Sequence, residues 1–353
     1  MSEKWLILKR FYIKLTHWEY WPFHMVYAPM VFYYLYLSLR AKSLCFFNAA
    51  NPLIRNGGFL QESKKEIYDL LPASLYPKTL LFHPDCKIEN LLERVRKEGL
   101  SFPFIAKPDT GQRGLMVKLI KDRSDLKKYL SNITVPFLIQ KFVDLPEEVG
   151  IFYCRIPGQS SGKITGVVGK EFLKVIGDGH RTVEQLLIRE PRFLLQLAPL
   201  RISESKALKV VLSAGEEKIL VPFGNHSRGA KFIDLTHLAD SIFRNHFEAI
   251  CQSIPEFYFG RLDIKYLNWE DLKVGKNFSI IELNGAGSEP THMYDPKYSV
   301  FHAWKQIIYH LNLLYKIRMQ NSQEKGIPFM AAKDGLQMLK ENWRHKAHIS
   351  KKF

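Results

Sequence analysis

The chain has 353 residues, 46% hydrophobic and 24% charged, a composition that excludes a long disordered polymer and is sufficient for about two folded domains. A net charge of +16 asks for an anionic partner: a nucleotide, an acidic metabolite, a nucleic acid or an anionic membrane surface. Cys45, Cys86, Cys154 and Cys251 lie far apart, with no CxxC pair and no histidine at ligand spacing, which argues against a zinc site or disulfide framework and fits a reducing compartment.

In chain order, the first unusual segment is "YWPFHMVYAPMVFYYLYLSL", residues 20–39, uncharged and just long enough to span a bilayer. Pro22, Pro29, His24 and its tyrosines suit an interface better than a hydrocarbon centre. A helix packed on the core and a helix lying at a membrane surface are the alternatives, and the basic flanks favour membrane contact. The segment starts too late, and lacks the small-residue cleavage site, for a secretory signal. Residues 48–79, rich in Asn, Gly and Pro, read as loop, short helix, loop.

From about residue 80, short β-branched and aromatic runs alternate with helical stretches, the pattern of mixed α and β structure. Strands are expected at 102–107, 115–120, 137–143, 149–156, 163–172, 217–223, 257–267 and 278–284. Helices are expected at 87–98, 123–131, 182–190, 236–253 and 299–317. The helix at 236–253 has the clearest period, through Ile242, Phe243, His246, Phe247 and Ile250, with Thr236 placed to cap it. Thr182 stands near the start of another, and the tail after about 319 reads as a basic helix or a frayed end.

The chemistry-bearing residues lie on these strands. In "FPFIAKPDTGQRG", alternation puts Lys107 on the face of Ile105, away from Phe104 and Ala106. Its stem can pack while its ammonium needs an anion. Gly111 and Gly114 free the following turn to bring amide groups against a ligand, and Arg113 adds a donor. The Walker spacing is absent, so the segment is either a phosphate loop or a β-hairpin with a surface lysine. In "FLIQKFVDLPEEVG", Gln140 to Val143 offer backbone groups to a planar base and Glu148 can accept from ribose hydroxyls; an ordinary strand pair joined by an acidic turn is the alternative. In "FYFGRLDIKYL", Arg261, Asp263 and Lys265 share one face of an apolar strand, which is costly unless that face lines a polar cleft. In "FSIIELNGAG", Glu282 and Asn284 point one way, Ile281 and Leu283 the other. Asp263, Glu282 and Asn284 are hard oxygen donors suited to Mg²⁺, or else Glu282 forms an ion pair with Arg261 or Lys265. "GSEPTH", residues 287–292, could hold an acidic substrate end through backbone amides, or be a plain loop.

This order of Lys107, glycine loop, hinge, Glu148, Asp263 and Glu282-x-Asn284 resembles the ATP-grasp superfamily of carboxylate–amine ligases. "FPFIAKPDTGQRGLMV" is similar to the phosphate-loop segment of D-alanine–D-alanine ligases; "VIGDGHRTVEQLLI" and "NHSRGAKFIDLT" resemble segments of cyanophycin synthetase. The resemblance implies an α+β, ATP-grasp fold, two subdomains gripping ATP, over residues 76–318. An aromatic helical region at 1–75 precedes it and a basic tail at 319–353 follows. It implies ATP and Mg²⁺ as cofactors, with Mn²⁺ as the substitute metal. Lys107 and Arg228 would be the catalytic cations. Lys107, Asp109, Gly111, Arg113, Gly114, Gln140, Lys141, Phe142, Val143 and Glu148 would bind the nucleotide, and Asp263, Glu282 and Asn284 the metal. An upstream phosphate-binding lysine has no clear counterpart, Lys78 being the nearest candidate, and the ligases' usual amino-terminal α/β domain is not evident. The implied reaction forms an acylphosphate from a small-molecule carboxylate and passes it to an amine. No nucleic-acid partner is expected, residues 20–39 are a surface for peripheral membrane contact, and the location is cytoplasmic, with or without membrane association. The competing function is a membrane-associated nucleotide-binding or regulatory protein without turnover.

Overall fold

A computed structural model describes residues 3–111, 114–221 and 229–350. Its elements in chain order are α1 (Glu3–Thr16), α2 (Phe23–Tyr27), α3 (Met30–Ala41), α4 (Lys64–Leu70), β1 (Thr79–Phe82), α5 (Ile88–Lys97), β2 (Phe104–Pro108) and β3 (Lys118–Ile120). There follow α6 (Arg123–Leu130), β4 (Phe137–Lys141), β5 (Glu147–Cys154), β6 (Lys163–Glu171), β7 (Leu173–Ile176), α7 (Val183–Arg189), α8 (Pro191–Ser203) and β8 (Glu217–Val221). The last are β9 (Lys231–Asp234), α9 (Ser241–Ser253), β10 (Phe259–Tyr266), α10 (Trp269–Lys273), β11 (Phe278–Asn284), α11 (Val300–Lys325) and α12 (Ala332–Ser350). The architecture is α+β with a helical amino-terminal region, as expected.

By contact the chain divides into two units. The larger comprises Phe32–Val167, Thr236–Pro290 and Ile307–Phe353. It holds an antiparallel sheet ordered β1-β4-β2-β3 and the strand order β11-β10-β5-β6. The first sheet buries Phe104, Ala106, Phe137 and Ile139 against Leu91 and Val95 of α5 and Leu126 of α6. Phe104 and Ala106 are fully buried on that side, which leaves Ile105 and Lys107 to face the other, as strand alternation requires. A second core joins Leu37 and Ala41 of α3 to Phe46, Phe152, Phe259, Ile317 and Met338.

The smaller unit comprises Met1–Val31, Val168–Leu235 and Thr291–Gln306. Here the end of β6, Val168–Glu171, pairs with β9, and β7 pairs with β8. Leu6 and Ile13 of α1 join Leu173, Val183, Leu187, Leu194 and Leu197 in its core. Thr182 and Gln185 close a capping box on α7, so the chain is committed to a helix where "HRTVEQLL" begins.

Several expectations are corrected. β1, β7 and β9, each four residues long, are strands that the sequence pattern does not announce. α1 and α8 carry no clear single-face period; α8 starts with Pro191 at its first turn and has Pro199 inside. The cap of α9 is Asp240, whose carboxylate accepts the Phe243 N–H, while Thr236 Oγ1 accepts the Val167 N–H. Ile242 is exposed, since the buried face of α9 runs through Phe243, Phe247 and Ile250. The tail is helical: α12 covers most of it. Residues 20–39 fold as α2, α3 and connecting turns, and no described helix is long and apolar enough to cross a membrane.

Candidate functional site

Lys107 sits near the end of β2 and is only 7% exposed. Its ammonium donates to the Tyr68 hydroxyl (2.8 Å), to Gln140 Oε1 (2.8 Å) and to the Ile281 carbonyl (3.3 Å). The surface-hairpin alternative therefore fails: this lysine is an interior cation. Burial pushes its pKa down to about 8, with Glu282 and Asp109 opposing the shift through their negative charge. Gln140 lies within β4, between β1 and β2, and its Nε2 donates to Thr79 Oγ1 (2.8 Å). The Gln140 side chain thereby orients Lys107. Tyr68, on α4, also donates its hydroxyl to the Ile281 carbonyl and stacks on Tyr76.

The polar strand pair is β10 and β11, with Asp263 opposite Glu282 and Arg261 opposite Asn284. Leu262, Ile264 and Tyr266 are buried on the apolar side of β10, so Arg261, Asp263 and Lys265 share the other face as expected. β11 does not alternate simply. A bulge makes Ile264 pair with Ile280, so Ile280 and Leu283 are its buried pair and Ile281 is the extra residue. The same irregularity turns the Ile281 carbonyl towards Tyr68 and Lys107.

Arg261 grips Asp263 through two hydrogen bonds, Nε to Oδ1 (3.1 Å) and Nη2 to Oδ2 (2.9 Å), and its Nη1 donates to the Glu289 carbonyl (3.3 Å). Asn284 Nδ2 also donates to Asp263 Oδ2 (3.2 Å). The alternative of an ion pair between Glu282 and Arg261 or Lys265 is not formed among the described residues. Among the described residues Glu282 pairs with Lys64, at 4.0 Å, and Lys265 Nζ donates to the Leu145 carbonyl (3.0 Å). No group of three or more His, Cys, Asp and Glu converges among the described residues, so the oxygen set here is two carboxylates and one amide. Such a set is lean in charge and suits a small, hard cation that keeps water and phosphate ligands.

Sequence reading missed Lys64 and Glu62. Lys64 Nζ donates to the Gly111 carbonyl (2.6 Å), which places a second cation between the glycine loop and Glu282. The backbone N–H of its neighbour Lys65 donates to Asp109 Oδ1 (2.9 Å), so Asp109 fastens the loop to the start of α4. Glu62 is half-buried; burial holds its carboxyl above the usual range, Lys64 opposing and Glu282 adding to the rise. The signal was present in "QESKKEIY", where lysines follow a capping serine, but a stretch that reads as loop, short helix, loop gives no reason to bury a charge. Lys78 instead pairs with Glu98 at the surface (2.7 Å).

Gly111 and Gly114 have φ of 137° and 69°, conformations that side chains resist, as a loop approaching a ligand requires. Lys141 ends β4, Phe142 and Val143 follow half-buried, and Glu148 is buried on β5 opposite Lys265. Arg113 and Arg228 lie outside the described residues.

Comparison with known proteins adds the class. Residues 68–182, from Tyr68 through Lys107, Gln140 and Glu148, match the family model of the RimK-like ATP-grasp domain. The matched segment, about a third of the chain, is thus similar to an ATP-grasp domain. A curated bifunctional glutathione biosynthesis protein of Streptococcus mutans is 26% identical over 215 residues, 54% of this chain and 28% of that protein, so the chain spans well under half of its relative's length. Among solved structures, a bifunctional glutathione synthetase from Pasteurella multocida aligns over 72% of this chain and 38% of its own (14% identity, TM-score 0.38). D-alanine–D-alanine ligase from Bacillus anthracis aligns over 74% and 69% (12% identity, TM-score 0.42). These structural likenesses are too distant to transfer a residue's role.

Proposed function

We propose that the chain is an ATP- and Mg²⁺-dependent ligase that activates a small-molecule carboxylate as an acylphosphate and joins it to an amine. The observation that carries this reading is the hydrogen bond from Lys107 to β11, which sets a buried ammonium beside the strand bearing Glu282 and Asn284. On this reading cation and oxygen donors would serve one polyphosphate. Lys107 and Lys64 would hold phosphate oxygens from below the 109–114 loop, and the loop's glycines would let amides close over them. Lys141 to Val143 would face the adenine and Glu148 the ribose.

Asp263, Glu282 and Asn284 would hold Mg²⁺, whose charge would balance the transferred phosphoryl group. Asp263 must then exchange Arg261 for the metal. The guanidinium released would remain in the cleft as a cation for the developing negative charge, a place also proposed for Arg228. Loop closure would keep water from the acylphosphate until the amine attacks, and holding both substrates side by side supplies much of the rate. Peripheral membrane contact through residues 20–39 is supported by α3, which exposes Val31, Phe32, Leu35, Tyr36 and Leu39.

A second reading, nucleotide binding without turnover, is favoured by the complete internal pairing of Lys107 and by Arg261 occupying both oxygens of Asp263. An ADP-release screen over pairs of carboxylates and amines separates the two. The ligase requires ADP that appears only with Mg²⁺ and both substrates and is lost in Glu282→Gln. Nucleotide binding with no ADP from any pair supports the second reading instead.

A further inference from the structure

Helix α1 has two apolar faces. The narrow one, Leu6 and Ile13, is buried in the core of the smaller unit. The broad one is exposed: Ile7 (59%), Leu8 (68%), Phe11 (66%), Tyr12 (64%) and Leu15 (62%). At 100° per residue these side chains sweep an arc of roughly 140°, the width of a face built to be covered. The helix cannot simply roll this face inward. Glu3 is held by Arg201 of α8 (3.1 Å), and Lys9 Nζ donates to the Ile188 carbonyl of α7 (3.3 Å).

We infer that α1 is an interfacial helix that seats the protein on a bilayer containing anionic phospholipid. The charges at the border of the arc select this occupant. Lys4 lies within it at the amino-terminal end, Arg10 and Lys14 run along one edge, and the helix's one acid, Glu3, is engaged by Arg201. Apolar and aromatic side chains at headgroup depth, with lysine and arginine stems reaching up to phosphate, are the arrangement that such a surface rewards. A second copy of the chain fits poorly, because a self-complementary face would bring the same cations of both copies together. The inference does not depend on the ligase reading.

The test is flotation of the full chain with phosphatidylcholine vesicles, with and without about 30% phosphatidylglycerol, at low and high salt. The expected result is binding about tenfold tighter to the anionic vesicles, weakening with salt, and reduced about tenfold in Leu8→Glu/Leu15→Glu. Both leucines are exposed, so the thermal midpoint of that variant should match the native chain. Lys4→Gln/Lys14→Gln should erase the preference for anionic lipid. Equal binding by the double-glutamate variant overturns the proposal. So does loss of binding only in Leu35→Glu/Leu39→Glu of α3, or a fall from dimer to monomer in Leu8→Glu/Leu15→Glu, which would make the covering surface a second copy.

Discussion

Lys107 carries a buried positive charge whose donors are satisfied by a phenol, an amide oxygen and a backbone carbonyl, with no carboxylate among them. Its pKa near 8 follows from that: the site stabilises an ammonium less than water does. Phosphate oxygens would restore the lost stabilisation, so binding should take up a proton above pH 8 and weaken as pH rises from 7 to 9, a trend measurable by calorimetry in buffers of different ionisation heat. The stability sign is also set. Below pH 8 folded and unfolded chains both hold this proton and the full cost of burying the charge is present. Above it the folded state releases the proton first, so this residue's contribution favours folding increasingly up to the ordinary lysine value of 10.5. Lys107→Met keeps the stem and removes the charge. At pH 7 its stability should lie within about 1 kcal/mol of the native chain or above it, with the gap narrowing at alkaline pH in urea titrations. A large destabilisation at pH 7 would mean that the ammonium is structural.

At the scale of elements, what was legible follows from period and from turn chemistry. The alternation of Phe104 and Ala106 against Lys107, and of Leu262 and Ile264 against Arg261 and Asp263, placed the polar faces correctly because one face of each strand is fully apolar. The capping residue of α7 was likewise readable from "TVEQLL". The bulge in β11 was not, because an extra Ile among "FSIIEL" looks like any other strand residue and only pairing with β10 reveals it. β1 and β9 were missed because four-residue strands leave too little pattern to count. Tyr68 links α4 to the bulge: Tyr68→Phe keeps the ring stacked on Tyr76 but removes a partner of both Lys107 and the Ile281 carbonyl. It should cost about 1–3 kcal/mol in chemical denaturation; no change would show that water replaces the hydroxyl. Thr182→Ala, which opens the capping box of α7, should cost roughly 1 kcal/mol without altering nucleotide binding, and a loss of binding would tie α7 to the site.

For the whole molecule, charge and composition pointed to an anionic partner but could not say which face would meet it. The candidate nucleotide residues that the structure describes fall within the larger unit, although they come from segments separated by more than a hundred residues. Lys64 escaped notice for the same reason: its value lies in meeting Gly111 and Glu282, which nothing local announces. The most direct measurement is calorimetric titration of Mg-ATP into the native chain, Lys107→Met and Glu282→Gln. A shared polyphosphate site predicts binding by the native chain and affinity lower by about 100-fold in both variants. Equal affinity in all of them would contradict it.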